Sequence, residues 1–254
     1  GMSFFDAFCH ALPAISTGGF STKDSSLGWW KNPAVEWVAI AGMLLGSLPF
    51  LAYLYLLRGT PGRFARDRQI LAILALVAGL AAALWIHQER AGIATGMEAF
   101  RNALFNVVTL ISTTGFVASD YTAWGPFSDA LLFVLMFLGG CTGSTAGGVK
   151  TFRLMILWEA LKANLARTVY PNSVHVMRYE GRRIGDEVVL SVFHFVAVYL
   201  LVFVVVGLAL TALGHDPMTA FSGTIAALSN VGPGLGPIVG PAGNFSTLGD
   251  PALW

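Results

Sequence analysis

Ile111-Ser112-Thr113-Thr114-Gly115-Phe116 closes a moderately apolar segment that opens at Asn102-Ala103-Leu104. Two other stretches can be laid over it. One runs from Asp6-Ala7-Phe8 to Ile15-Ser16-Thr17-Gly18-Gly19-Phe20, the other from Thr219-Ala220-Phe221 to Leu228-Ser229-Asn230-Val231-Gly232-Pro233. Each ends apolar-Ser-x-x-Gly, and the aligned glycines Gly19, Gly115 and Gly232 stand 96 and 117 residues apart. A Gly-terminated helix cap explains one such segment. Three aligned copies between apolar runs are an internal repeat, and a repeat decides the architecture.

The composition places the repeat in a membrane. Of 254 residues 55% are apolar and only 11% charged, where soluble domains carry about 25% charge. The mean hydropathy is +0.67. These values exclude a disordered chain, a disulfide scaffold and a nucleic-acid-binding domain. Cys9 and Cys141 are too far apart in sequence for a metal or redox motif. Three runs are long enough to span a core of about 30 Å: Ala34–Leu57, Gln69–Ile86 and Val188–Leu213. A fourth, Phe127–Leu138, is half a span and runs into a glycine-rich stretch.

The loops between the runs set the orientation. Residues 58–68 and 150–187 together carry a net charge of +6 and the rest of the chain −5. Basic loops stay on the cytoplasmic side, so the opposite face is acidic and attracts cations. Trp29, Trp30, Trp37, Trp85 and Trp124 fall near the expected interfaces, as an aromatic belt does.

At roughly eight to twelve residues, each repeat helix is too short to cross, since a span needs around 20. The segment after it is non-helical backbone at membrane depth, which survives only when buried in protein or lining a water-filled path. Each half-helix then points its carbonyl end, the negative end of its dipole, into the membrane. The extended residues Thr17-Gly18-Gly19, Thr113-Thr114-Gly115 and Asn230-Val231-Gly232 offer carbonyl oxygens able to replace a cation's water shell. A glycine at the end of each allows positive φ and close approach to an ion.

The second distinctive stretch is Gly139-Gly140-Cys141-Thr142-Gly143-Ser144-Thr145-Ala146-Gly147-Gly148, with Lys150 just beyond. An interior glycine costs about 1 kcal/mol of helix stability relative to alanine, so five of them break the span. Broken spans are where membrane proteins place movable or ion-lining backbone. Thr142, Ser144 and Thr145 supply hydroxyls for a passing cation, and Lys150 a charge to repel one or tie the loop closed. Small-residue packing is the competing reading, and it is the one adopted for Gly42 and Gly46. Two catalytic readings fail. A phosphate loop needs Gly-Lys in sequence, but Val149 separates Gly148 from Lys150. A nucleophile elbow needs Gly-x-Ser-x-Gly, but Thr142 and Ala146 flank Ser144. No enzyme is expected.

Ser16-Thr17-Gly18-Gly19-Phe20, Ser112-Thr113-Thr114-Gly115-Phe116, Ser229-Asn230-Val231-Gly232-Pro233-Gly234 and above all Gly139–Lys150 resemble the Trk/Ktr/HKT superfamily of potassium uptake proteins. The likeness is nearest to the bacterial Trk-type membrane subunit and extends over essentially the whole chain. It implies an all-α transmembrane fold of repeated span–pore-loop–span units around a pseudo-fourfold pore, here partial. Residues 1–57 then hold the half-helix, filter loop and second span of repeat two. Residues 58–163 hold repeat three, 164–187 a cytoplasmic connection, and 188–254 the first span, half-helix and filter of repeat four. The resemblance implies potassium uptake across a bacterial inner (plasma) membrane by a multi-pass protein, with K⁺ as cargo and no bound cofactor. It makes 139–148 with Lys150 the intramembrane gate, and implies a homodimer and a cytosolic nucleotide-binding regulatory subunit. With three filter segments in place of four, the chain reads as a fragment that does not conduct selectively by itself.

A coupled secondary transporter with discontinuous helices is the rival function. Such carriers place an ionisable group at mid-membrane, and His194 is the candidate, although packing inside the bundle is its ordinary role. Surface roles are expected for His10, His87, His175 and His215, and N-capping for Asp6 and for Asp216 or Thr219.

Overall fold

The computed structural model describes residues 1–170, 177–179 and 182–249; His175 and Glu180 fall outside them. In chain order the helices are α1 (Phe4–Ile15), α2 (Pro33–Ser47), α3 (Phe50–Leu57), α4 (Pro61–Ala65), α5 (Arg68–Arg90) and α6 (Gly96–Ile111). They continue as α7 (Pro126–Leu135), α8 (Thr151–Val169), α9 (Asp186–Ala212), α10 (Pro217–Leu228) and α11 (Gly236–Val239). Two-residue strands pair as β1 (Leu138–Gly139) with β2 (Val149–Lys150) in parallel, and β3 (Arg178–Tyr179) with β4 (Arg182–Arg183) antiparallel.

Among the described residues two helices are long and apolar enough to cross a membrane, or three spans if the bent pair α2–α3 counts as one. In α5, Asp67 caps the amides of Gln69 and Ile70, and 23 residues follow. Its buried positions Ile70, Ile73, Val77, Ala81 and Leu84 recur at helical spacing and form the stripe that packs on α6. In α9, 27 residues start with Asp186 and Glu187 at the positive end of the dipole. Only Val192, Tyr199 and Gly207 of α9 are buried, which leaves an apolar surface suited to lipid. A Cβ at Gly207 would fall 2.5 Å from the Phe221 ring, so this glycine is what lets α10 lie against α9.

The run 34–57 is not one straight span. α2 and α3 meet at 97° across Leu48-Pro49. Pro49 has no amide to offer the helix, and the groups freed at the corner find partners in the glycine-rich loop instead. Phe50 N–H donates to the Gly143 carbonyl at 2.9 Å, while the Ser47 carbonyl accepts from Cys141 N–H at 2.9 Å. The corner and the loop thus satisfy each other's backbone.

The three repeat helices are α1, α6 and α10, of 12, 16 and 12 residues. α6 is longer than the sequence suggests because its first turn, from Gly96, precedes the apolar part. From Phe105 to Ile111 it is buried on every side, with α2, α5 and α7 packed around it. α1 lies at the rim, exposing Phe4, Phe5, Phe8 and Leu12. Its N-cap is Ser3, not Asp6, whereas α10 is capped by Asp216.

Three further expectations change. His10 is buried at 5% exposure, between Trp30 and Phe116. His194 is exposed on α9 instead of facing the bundle. Trp124 is buried against Tyr121, which removes it from the aromatic belt.

Candidate ion-conducting site

The three repeats end in one backbone conformation. Ser16, Ser112 and Ser229 cap α1, α6 and α10. The next residue in each copy is left-handed and not glycine: Thr17 at φ 52°, Thr113 at 54° and Asn230 at 57°. One residue later an amide turns back over the helix end. Gly18 N–H donates to the Pro13 carbonyl, Thr114 to Thr109 and Val231 to Ala226, at 2.8–2.9 Å. This is the Schellman closure, in which the chain leaves the axis after a left-handed residue. Glycine usually fills that position, and a β-branched Thr there is strained. The aligned glycines come next, with Gly19 at φ 65°, Gly115 at 77° and Gly232 at 106°.

These glycines also set how the copies touch. A Cβ on Gly19 would fall 1.9 Å from the Thr114 carbonyl oxygen, and one on Gly115 would fall 1.9 Å from that of Val231. The first loop therefore leans on the second and the second on the third, each through the same atoms. A Cβ at Gly232 meets no atom within 4 Å among the described residues, so the series is open on that side. Gly19, Gly115, Asn230 and Gly232 together border a cavity of about 550 Å³. Of the expected ion-path residues, Thr17, Thr113, Thr114 and Val231 are buried, Gly18 and Gly19 half-buried, and Asn230 exposed.

Each loop's outgoing strand is tied down by a different side chain. His10 Nε2 pairs with the Ser21 hydroxyl at 2.8 Å. Thr109 Oγ1 donates to the Phe116 carbonyl at 3.0 Å. The Ser222 hydroxyl accepts from Leu235 N–H at 2.9 Å, and Tyr121 reaches the Gly234 carbonyl at 3.1 Å. Thr22 donates to Asp6 at 2.7 Å. The hydroxyls of Thr22 and then Ser3 hold the Asp6 carboxyl below its ordinary range. Asp24 and Asp120 border a second cavity of about 780 Å³ and give its lining acidic charge.

The glycine-rich loop lies against the ends of all three repeat helices. It leaves α7 at β1 and returns at β2, a parallel pairing of Leu138 with Val149 and Gly139 with Lys150. Thr145 Oγ1 bonds the Ile15 carbonyl at the end of α1, and that of Gly46, at 3.1 Å. Gly147 N–H donates to Thr113 Oγ1 at 2.7 Å. Gly147 also rests on the Ser229 carbonyl, 2.1 Å from where its Cβ would stand. Thr142 N–H donates to Gln69 Oε1 at 2.9 Å. Lys150 Nζ donates to the Ser144 carbonyl at 3.1 Å, and the Ser144 hydroxyl to the Cys141 carbonyl at 2.6 Å. The Ser144 and Thr145 hydroxyls are thus spent on fastening the loop. Cys141 and Ala146 are buried; Thr142 and Gly143 are exposed. Gly139 and Gly140 admit the close passage of Gly147, Ala146 and Ser47, and Gly148 that of Leu138.

Sequence reasoning missed the corner at Leu48-Pro49 and its bonds to the loop. Gly46-Ser47-Leu48-Pro49 contains the signal, since the residue before a proline is biased away from the helical region and marks a helix boundary. The packing role given to Gly42 and Gly46 is what the structure has. Their Cβ positions would lie 3.1 Å from the Ala14 side chain and 2.3 Å from the Ile15 carbonyl.

Apolar helices long enough to span, with a short helix and loop repeated between them, define a helical membrane protein. The family model described as "TrkH: Cation transport protein" matches residues 1–82 and 71–250. The chain is 39% identical to the Trk system potassium uptake protein TrkI of Halomonas elongata, over all of this chain and 52% of that one. It is 32% identical to TrkH of Escherichia coli K12, again over all of this chain and 52% of the relative. The crystal structure of the potassium transporter TrkH from Vibrio parahaemolyticus superposes with a TM-score of 0.88 at 33% identity, covering 93% of this chain and 51% of that one. The chain belongs to the TrkH family of cation transport proteins. It spans about half the length of the relatives it matches.

Proposed function

We propose that these residues line and gate a potassium-uptake pore in a bacterial inner membrane. The reading rests on one observation above all: three loops with the same dihedral sequence interlock through Gly19 and Gly115 around a common cavity. The carbonyls of Thr17, Gly18 and Gly19, of Thr113, Thr114 and Gly115, and of Asn230, Val231 and Gly232 take over part of the ion's water shell. The helix dipoles of α1, α6 and α10 add negative potential beneath them. Four such units enclose the pore, and the open side of Gly232 is where the ring continues. Residues 1–57, 58–163 and 188–254 carry three of the units, joined by the cytoplasmic stretch 164–187.

Residues 139–148 with Lys150 form the gate, seated under the loops by the bonds of Thr145 and Gly147 and braced on itself by that of Lys150 to Ser144. Opening moves this segment aside. A second copy of the chain and a cytosolic nucleotide-binding regulatory subunit are the partners, the regulator meeting the basic stretch 150–187. A coupled carrier built on His194 is not favoured, because that side chain is exposed on α9 and is not among those bordering the loop cavity.

The test is rubidium flux into liposomes holding the full-length transporter, with and without a shortened 139–148 loop. Potassium-preferring flux that rises on shortening is expected. Flux that does not prefer potassium, or that ignores the loop, refutes the reading.

A further inference from the structure

At the left-handed position of the first repeat, Thr17 Oγ1 bonds the adjacent Ser16 carbonyl. In the third, the Asn230 side chain is exposed. In the second, Thr113 Oγ1 accepts the Gly147 amide at 2.7 Å, with Thr113 only 1% exposed. Among the described residues at the nine ion-path positions, Thr113 alone joins an ion-path residue to the glycine-rich loop by a side-chain bond. Its neighbour Thr114 pairs with Ser112 instead. Thr113 is also a β-branched residue at φ 54°, a strained conformation that persists only where surroundings hold it.

We propose that Thr113 is a positioning residue that couples ion occupancy to the seating of the glycine-rich loop. Its backbone stands in the ion path and its hydroxyl holds Gly147, which is wedged between Thr113 and the Ser229 carbonyl. An ion held by the adjacent carbonyls fixes the strained backbone and keeps the hydroxyl aimed at the amide. Lifting the loop removes that bond and frees the backbone to relax. Coupling of this kind is reciprocal: an occupied ion path steadies the seated loop, and a seated loop steadies the ion path. The proposal rests on the ion-path reading of these carbonyls given above.

The primary test needs no substitution. Hydrogen exchange at the Gly147 amide is followed in the full-length protein in lipid nanodiscs, in potassium and in N-methylglucamine, a cation too large to enter. Potassium is expected to slow that exchange several-fold; equal or faster exchange in potassium overturns the proposal. The second test compares Thr113→Val, which keeps the shape, with Thr113→Ser, which keeps the hydroxyl. Valine is expected to raise basal rubidium flux roughly fivefold, the factor carried by one buried hydrogen bond, and to abolish the potassium effect on exchange. Serine is expected to keep the slowed exchange in potassium and a basal flux below that of valine. Equal flux in the two variants overturns the proposal, and if the valine protein does not fold, the exchange result decides. A shortened 139–148 loop separates the levels. If shortening raises flux while Gly147 exchange ignores potassium, the coupling fails and the gate stands. If shortening leaves flux unchanged, the gate reading itself fails.

Discussion

Replacing Gly115 with alanine strikes the contact between the second and third loops, and its cost can be worked from geometry. At φ 77° an L-residue crowds its own backbone, for roughly 1–2 kcal/mol. The new methyl would stand 1.9 Å from the Val231 oxygen and 2.9 Å from Pro233 Cδ, where ordinary contact begins at 3.4 Å. The third loop must therefore retreat by well over an ångström, and forced overpacking adds about 1–3 kcal/mol. If roughly 2 kcal/mol of that total falls on the conducting arrangement, its population drops about thirtyfold. Gly79→Ala is the control, because Gly79 lies within α5 with no atom within 4 Å of its Cβ position; there alanine stabilises by about 0.5–1 kcal/mol. The assay is radioactive rubidium uptake by cells lacking other potassium uptake, with membrane abundance checked. Wild-type uptake and unchanged potassium-over-sodium preference in Gly115→Ala would mean that the loops do not interlock as described.

Other substitutions report on other contacts. Gly147→Ala pushes the glycine-rich loop off the Ser229 carbonyl, so basal rubidium flux should rise even without the regulator; flux at the wild-type level counts against the seat. Arg101 meets Glu36 at 2.8 Å with both side chains largely covered, and Glu36→Gln should lower the thermal midpoint in detergent, with a loss of roughly 1.5–3 kcal/mol for the charged hydrogen bond; an unchanged midpoint contradicts this. Asp6 has its carboxyl held below the ordinary value of 3.8 by Thr22 and Ser3. A depressed folded value stabilises above the unfolded one and is lost as pH falls through the folded one. As pH falls past 3.8 through the lowered folded value the wild type should therefore lose stability more steeply than Asp6→Asn, and parallel curves would refute the assignment.

Much of the fold was legible because apolar length and periodicity are local properties. Gln69–Ile86 and Val188–Leu213 mark α5 and α9 within a few residues, and the ends of α1, α6 and α10 follow from their apolar-Ser-x-x-Gly endings. The run 34–57 is legible as apolar and long enough to cross but its corner is not, since hydropathy records only that a stretch is apolar. Whether Leu48-Pro49 bends by 97° depends on the glycine-rich loop supplying Gly143 and Cys141 as partners, and those lie far away in sequence. His10 and His194 exchanged their expected settings for the same reason. An isolated histidine carries no local signal of which neighbour will cover it.

The sequence by itself determined that the chain is a membrane protein, that it repeats, and which glycines end the repeats. Those facts reside in composition and spacing, which need no partner to exist. Tertiary structure alone decided that Gly19 and Gly115 are pressed against the next loop's carbonyl, that Thr113 holds Gly147, and that Thr145 reaches the end of α1. Each is a contact between atoms remote in sequence, made obligatory because a buried amide or carbonyl without water must find a protein partner. The repeat supplies three similar backbones; packing them together is what gives each a different neighbour, and so a different task.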